Sequence, residues 1–348
     1  MNNKNINSLI RDHIKLMKPY SSARDEYKGI GGKMVFLDAN ENPFNNGTNR
    51  YPDPQQLQLK SVISKLKQIP TNQILLGNGS DEVLDLIFRA FCEPNKDNII
   101  TMPPTYGMYE VLANLNGIDI LSVELDSQFE PKLDTIFNIQ NENSKLLFIC
   151  SPNNPTANSI DTIKIEKLIS NFNGIVVIDE AYIDFSKNIS WVNRLNEFPN
   201  MIVTQTLSKA YGLAGIRLGM CYASEAIISI LNKIKPPYNV NALTQKIAIE
   251  KLSQPEIISE EVRKILLQRA WLISQLIHLS IVKKVYPSDT NFLLVKVDDA
   301  NKRYTQLLEK GIVVRNRTNQ ALCENCLRIT VGTQIENIKV ITALKTLI

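Results

Sequence analysis

The chain has 348 residues, 44% of them apolar and 21% charged. That length predicts two domains, or one large domain with a satellite, and the composition excludes a disordered or fibrous chain. The formal charge is only +4, from 39 Lys+Arg against 35 Asp+Glu, so no overall basic surface for nucleic acid is indicated. Only two histidines occur, His13 and His278, which argues against a His-rich metal site and against a Ser-His-Asp hydrolase. The chemistry therefore falls to other side chains or to a cofactor.

The first twenty residues carry no apolar run of the signal-peptide kind, and no segment approaches the ~18 apolar residues of a membrane span. Five scattered cysteines fit a reducing, cytoplasmic setting. Cys323 and Cys326 form a C-x-x-C pair with no second ligand pair nearby, so they read as two reduced, partly buried thiols.

From about residue 73 to 220 short apolar runs alternate with amphipathic stretches. Gln73–Leu76 leads into Gly77-Asn78-Gly79-Ser80 and then a helix over 81–91, with Val83, Ile87 and Ala90 on one face. Strand-like runs follow at 98–101, 145–150, 174–178 and 201–204, and Ile165, Leu168, Ile169 and Phe172 mark a helix between two of them. The pattern is that of an α/β domain with a mostly parallel sheet flanked by helices. After about residue 240 a long helix, through Val262 to Ile277, precedes strand-like runs at 291–297, 312–315 and 327–331, which predicts a smaller α+β domain. The expected division is a large domain over 46–250 and a small one built from 1–45 and 251–348.

Each central strand hands over at its carboxyl end to polar residues, where open α/β sheets bind ligands. Together these ends supply Gly79, Ser80, Asp81, Tyr106, Asn154, Asp179, Tyr182, Ser208, Lys209 and Arg217. One Lys, one Asp after an apolar strand, an aromatic ring and an anion cradle are what pyridoxal phosphate requires. Lys209 lies among small and apolar residues eight positions before Arg217, and partial burial beside a cation favours the neutral amine that adds to an aldehyde. Arg217 and Ser208 suit the cofactor phosphate. Asp179 follows four apolar β-formers, where a carboxylate is costly unless paired, and a protonated pyridine nitrogen is a good partner. Tyr182 and Asn154 are candidates for the ring oxygen. Gly77–Glu82 precedes a helix whose N-terminus suits phosphate, but it is neither G-x-G-x-x-G nor a P-loop, so a dinucleotide fold or an NTPase is disfavoured.

Asp179-Glu180-Ala181-Tyr182, Ser208-Lys209-x7-Arg217 and Asn154-Pro155-Thr156 together resemble the fold-type I pyridoxal-phosphate aminotransferases. Pro19–Arg24, Leu37–Pro43, Tyr51-Pro52-Asp53-Pro54 and Cys326–Thr333 are similar to the histidinol-phosphate aminotransferase branch, in order from about residue 18 to the C-terminus. The resemblance implies that Lys209 is the Schiff-base lysine and proton carrier, that Asp179 pairs with the ring nitrogen, and that Asn154 and Tyr182 hold the ring oxygen. It implies Tyr106 stacked on the ring, and Gly79, Ser80, Asp81, Ser208 and Arg217 around the phosphate. Tyr51 is implied to reach the cofactor phosphate of the other subunit in a homodimer, and Arg315 and Arg328, with Tyr20 and Asn154, to bind the substrate. The implied reaction is transamination between histidinol phosphate and 2-oxoglutarate in histidine biosynthesis. Aromatic amino-acid transamination and threonine-phosphate decarboxylation are the alternatives on the same fold. Two positions depart from the pattern: Gln205 stands where Arg is common, and Ala157 where Gly is common, and glycine tolerates a positive φ that alanine does not, so the sequence leaves the effect on that turn open.

Overall fold

A computed structural model describes residues 6–20 and 35–347. Two sheets organise it. The large one is built from β1 (Ile74–Asn78), β2 (Asn98–Thr101), β3 (Asp119–Ser122), β4 (Ser144–Cys150), β5 (Ile175–Asp179), β6 (Met201–Thr206) and β7 (Leu218–Ala223). Their spatial order is β1-β7-β6-β5-β4-β2-β3. The β3-β2-β4-β5-β6 block is parallel, while β7 runs antiparallel to both β6 and β1. This is the expected α/β architecture with a mostly parallel sheet.

Burial on both faces explains the central sequences. In β5, Val176 and Ile178 enter one apolar cluster while Ile175 and Val177 enter another, and all four are fully buried. Helices cover both faces, so the strand reads as a continuous apolar run instead of an alternation. Each such side chain contributes roughly 1.5–3 kcal/mol on burial. The antiparallel β7 escaped the sequence reading because Leu-Gly-Met-Cys-Tyr-Ala holds no β-branched residue. Its Gly219 is required by packing, since a Cβ there would lie 2.3 Å from the Ser80 nitrogen.

The second sheet has the order β10-β11-β9-β8, all antiparallel, from β8 (Val282–Val285), β9 (Phe292–Val297), β10 (Arg315–Asn316) and β11 (Cys326–Thr330). The strand expected at 312–315 shrinks to the two residues of β10. The 22-residue helix Pro255–Leu276 links the two cores: Ile258 packs with the large sheet, and Leu272 and Leu276 with the small one. Residues 6–14, expected within the small domain, pack on the large sheet. Ile6, Ile10 and Ile14 share the apolar cluster of Phe88, Ala90 and Phe91 on the large sheet, and Arg11 Nε bonds Glu93 Oε2 at 3.1 Å. A three-isoleucine stripe predicts a buried helical face, but not which sheet receives it. Ser21, Ser22, Ala23 and Arg24 of the Pro19–Arg24 motif lie outside the described residues.

Candidate active site

The parallel register levels three strand ends, with Cys150 paired to Asp179 and Asp179 paired to Thr204. Beyond them the chain turns, because proline in Ser151-Pro152-Asn153-Asn154-Pro155 has no N–H to continue a ladder. One cavity opens there. Nine residues named from the sequence line it: Ser80, Asp81, Tyr106, Asn154, Asp179, Tyr182, Ser208, Lys209 and Arg217. Cys150, Ala181 and Thr206 complete the wall.

Lys209 is exposed as a residue but lines the cavity wall, and its Nζ lies 5.6 Å from the centre of the Tyr182 ring. Burial, then the nearby Arg328 guanidinium, hold its pKa below the usual lysine range, while Asp179 and Asp81 oppose them. Arg217, the cation expected to do this from sequence spacing, contributes less than Arg328.

Asp179 is 3% exposed and pushed above the usual carboxylate range by burial. Tyr109 Oη donates to its Oδ2 at 2.8 Å, and the Ala181 N–H donates to Oδ1 at 3.1 Å. Its partners are neutral donors. Tyr109 itself is fully buried and stacks on Phe148 with ring centres 4.6 Å apart. Sequence reasoning missed this residue, which lies 70 positions from Asp179, and only its place three residues after Tyr106 hinted at it. The neighbouring Glu180 is also buried, accepting from Trp191 N at 2.7 Å and Gln205 Nε2 at 2.8 Å. Gln205 thus serves the buried acid as a neutral donor.

The opposite end is an anion cradle. Gly79, at φ +82°, caps the helix Ser80–Phe91, and a Cβ on it would come within 2.7 Å of Arg217 Nη2. Only glycine leaves the guanidinium that close to the helix N-terminus, where backbone N–H groups and the helix dipole favour phosphate. Arg217 Nη2 stands 3.5 Å from Asp81 Oδ2, and Tyr106 Oη donates to Asp81 Oδ1 at 3.1 Å. A buried carboxylate held by neutral donors, a lysine of lowered basicity and a glycine-dependent cradle form a donor set that fits pyridoxal phosphate.

The small sheet closes the site. Arg328 Nη1 donates to Asn154 Oδ1 at 2.6 Å and its guanidinium lies 5.2 Å from the Phe292 ring centre. Arg315 is exposed, directly across the ladder from Arg328. Tyr20 and Tyr51 lie outside the cavity, 70% and 52% exposed, and Tyr51 stacks on Tyr238 at 4.4 Å. The departure at residue 157 leaves the turn with a left-handed backbone: Ala157 is buried at φ +70°, a conformation glycine would take without strain. Cys323 and Cys326 are buried free thiols, and burial raises both pKa values, to about 12 and about 11.

A sheet with its ligand crevice at the parallel strand ends, carrying a lysine and a carboxylate beside an anion cradle, defines the architecture of a cofactor-dependent group-transfer enzyme. The family described as aminotransferase class I and II matches residues 33–344. A histidinol-phosphate aminotransferase of Flavobacterium psychrophilum is 61% identical over 347 residues, covering all of both chains. Among solved structures, the histidinol-phosphate aminotransferase of Clostridium acetobutylicum aligns with a TM-score of 0.79 at 24% identity, over 86% of this chain and 90% of that one. That of Sinorhizobium meliloti, in complex with pyridoxal-5'-phosphate, gives 0.77 at 21% identity, over 86% and 84%. The chain belongs to the class I and II aminotransferase family, in its histidinol-phosphate aminotransferase branch.

Proposed function

We propose that this protein transfers the amino group between histidinol phosphate and 2-oxoglutarate, giving imidazole-acetol phosphate and glutamate, as a step of histidine biosynthesis. The observation that carries the reading is the cavity that brings Lys209 together with Asp179, Ser80 and Arg217, with Arg328 bonded to Asn154 of its wall. Pyridoxal phosphate, when bound, supplies an aldehyde for the amine and a protonated ring that draws electrons from the substrate Cα. Ser80, Ser208, Arg217 and the Gly79 turn would hold its phosphate, with Asp81 orienting Arg217. Asp179 would hold the ring nitrogen, Tyr182 and Asn154 the ring oxygen, and Tyr106 would cover the ring face.

Lys209, kept weakly basic by burial and by Arg328, takes the proton from the substrate Cα and returns it at the far side of the transfer. Arg328 and Arg315, with Tyr20, bind the anionic end of either substrate, because a phosphate and a carboxylate both present paired oxygens to a guanidinium. We also assign a cytoplasmic homodimer with shared sites. Exposed Leu243, which lines a surface cleft together with Tyr51, supports an apolar contact there.

The test is a half-reaction titration of the cofactor-loaded enzyme, followed by absorbance, with histidinol phosphate, phenylalanine and threonine phosphate. Histidinol phosphate should give the largest kcat/KM, and no response to it refutes the assignment. Borohydride reduction and peptide mapping should place the cofactor on Lys209. The same adduct recovered from Lys209→Ala would remove that lysine from its role.

A further inference from the structure

Arg315 and Arg328 are direct cross-strand partners, and the ladder continues beyond β10, where Arg317 N–H donates to Cys326 O at 2.9 Å. Alternation therefore places Arg315, Arg317 and Arg328 on one face of the β10–β11 ribbon. That face looks onto the large-domain cluster that contains Cys326, Phe292 and Tyr182. Arg317 is partly buried, and burial, then Arg328 and Arg315, lower its pKa while Tyr182 opposes them. Three like charges are packed on one sheet face, where like pairs are unfavourable. None of the three forms an ion pair with a carboxylate among the described residues. The Nε atoms of Arg317 and Arg328 are buried without a hydrogen-bond partner. Buried unpartnered donors on clustered cations point to an absent anion.

We propose that Arg317 is a specificity-determining residue that, with Arg315 and Arg328, selects a phosphate monoester over a carboxylate at the substrate's anionic end. A carboxylate has two oxygens and one charge, and one bidentate guanidinium satisfies it. A phosphate monoester presents three terminal oxygens and nearly two charges at neutral pH, and a third guanidinium completes its shell. This rests on the proposed function and deepens it, since glutamate and 2-oxoglutarate must use the same cradle with fewer contacts.

The experiment compares wild type, Arg317→Gln and Arg317→Lys as cofactor-loaded enzymes. The half-reaction is measured with histidinol phosphate and with glutamate, and inorganic phosphate is titrated as a competitor of glutamate. In Arg317→Gln the ratio of kcat/KM for histidinol phosphate to that for glutamate should fall about 10- to 100-fold, as expected for one charge-assisted contact. The loss should lie in KM, the inhibition constant of phosphate should rise about tenfold, and Arg317→Lys should recover part of both. A ratio and an inhibition constant within threefold of wild type overturn the proposal, as does an equal loss with both substrates. If wild type ignores histidinol phosphate, the proposed function fails, and the phosphate competition still decides the role of Arg317.

Discussion

Replacing Tyr109 by Phe isolates one interaction, the phenol donated to Asp179. The ring is fully buried, stacked on Phe148 at 4.6 Å and edge-on to Tyr106 at 5.6 Å, and phenylalanine keeps both contacts. What disappears is the 2.8 Å hydrogen bond to Asp179 Oδ2. Burial raises the Asp179 pKa, and the Tyr109 bond is the first factor opposing it. Without the hydroxyl the pKa moves further up, so the loss grows as pH falls. A hydrogen bond to an ionised group contributes about 1.5–3 kcal/mol, and one between neutral groups about 0.5–1.5. If the cofactor's ring cation keeps Asp179 ionised, the difference, about 1–2 kcal/mol, is the expected loss in cofactor binding. That corresponds to roughly 5- to 30-fold weaker affinity. The assay is titration of apoenzyme with pyridoxal phosphate, followed by visible absorbance, across pH 5.5 to 8.5 (a window set around neutrality), with Asp179→Asn as the more damaging control. An affinity for Tyr109→Phe within twofold of wild type at every pH refutes the reasoning.

Two further outcomes are expected. Gly79→Ala forces a Cβ to 2.7 Å from Arg217 Nη2 and keeps φ at +82°, at a cost of at least about 1–2 kcal/mol. Equilibrium dialysis should show at least tenfold weaker pyridoxal phosphate binding, and unchanged binding would mean that the cradle tolerates displacement of Arg217. Lys60 is 5% exposed, and burial, then Lys235, push its pKa down from 10.5 to about 8. Between those values the unfolded chain holds a proton that the folded chain lacks, so stability rises with pH from about 8 to 10.5, and below about 8 the whole penalty applies. Lys60→Met should therefore stabilise the protein by up to about 3 kcal/mol at pH 7 and flatten that rise. Urea denaturation at pH 7 and pH 10 checks it, and equal slopes in the two proteins would count against it.

The sequence exposed the site because it lies where two local signals meet, an apolar strand ending and a polar turn beginning. Asp179 after Ile178, and Lys209 shortly after the β6 run, needed nothing more. Tyr109, Arg317 and the docking of Ile14 depend on neighbours distant in sequence. Tyr109 sits inside the helix Met108–Leu115 and looks like ordinary core until the sheet brings Asp179 to it. Arg317 stands beyond a two-residue strand, too short for its alternation with Arg315 to show. Ala157 marks a case the sequence left open: the surrounding structure imposes the left-handed conformation on a residue that disfavours it.

The field around Lys209 has a consequence for the order of events at the site. After burial, Arg328 is the largest factor holding its proton affinity down, and Arg328 is also the residue proposed to meet the substrate's anion. An anion on Arg328 cancels that field, so its arrival makes Lys209 more basic. Free enzyme thus presents a readily deprotonated amine, and the occupied site a stronger proton acceptor. Arg328→Gln should mimic the neutralised state in the absence of any ligand. The rate of Lys209 acetylation in apoenzyme, followed against pH by peptide mass spectrometry, should show its midpoint displaced upward in the variant. Inorganic phosphate should displace the wild-type midpoint in the same direction and displace the variant less, since only Arg217 and the remaining arginines are then left to neutralise. A variant midpoint at or below that of wild type would show that burial alone sets the basicity of Lys209, and that substrate and lysine are not electrostatically linked.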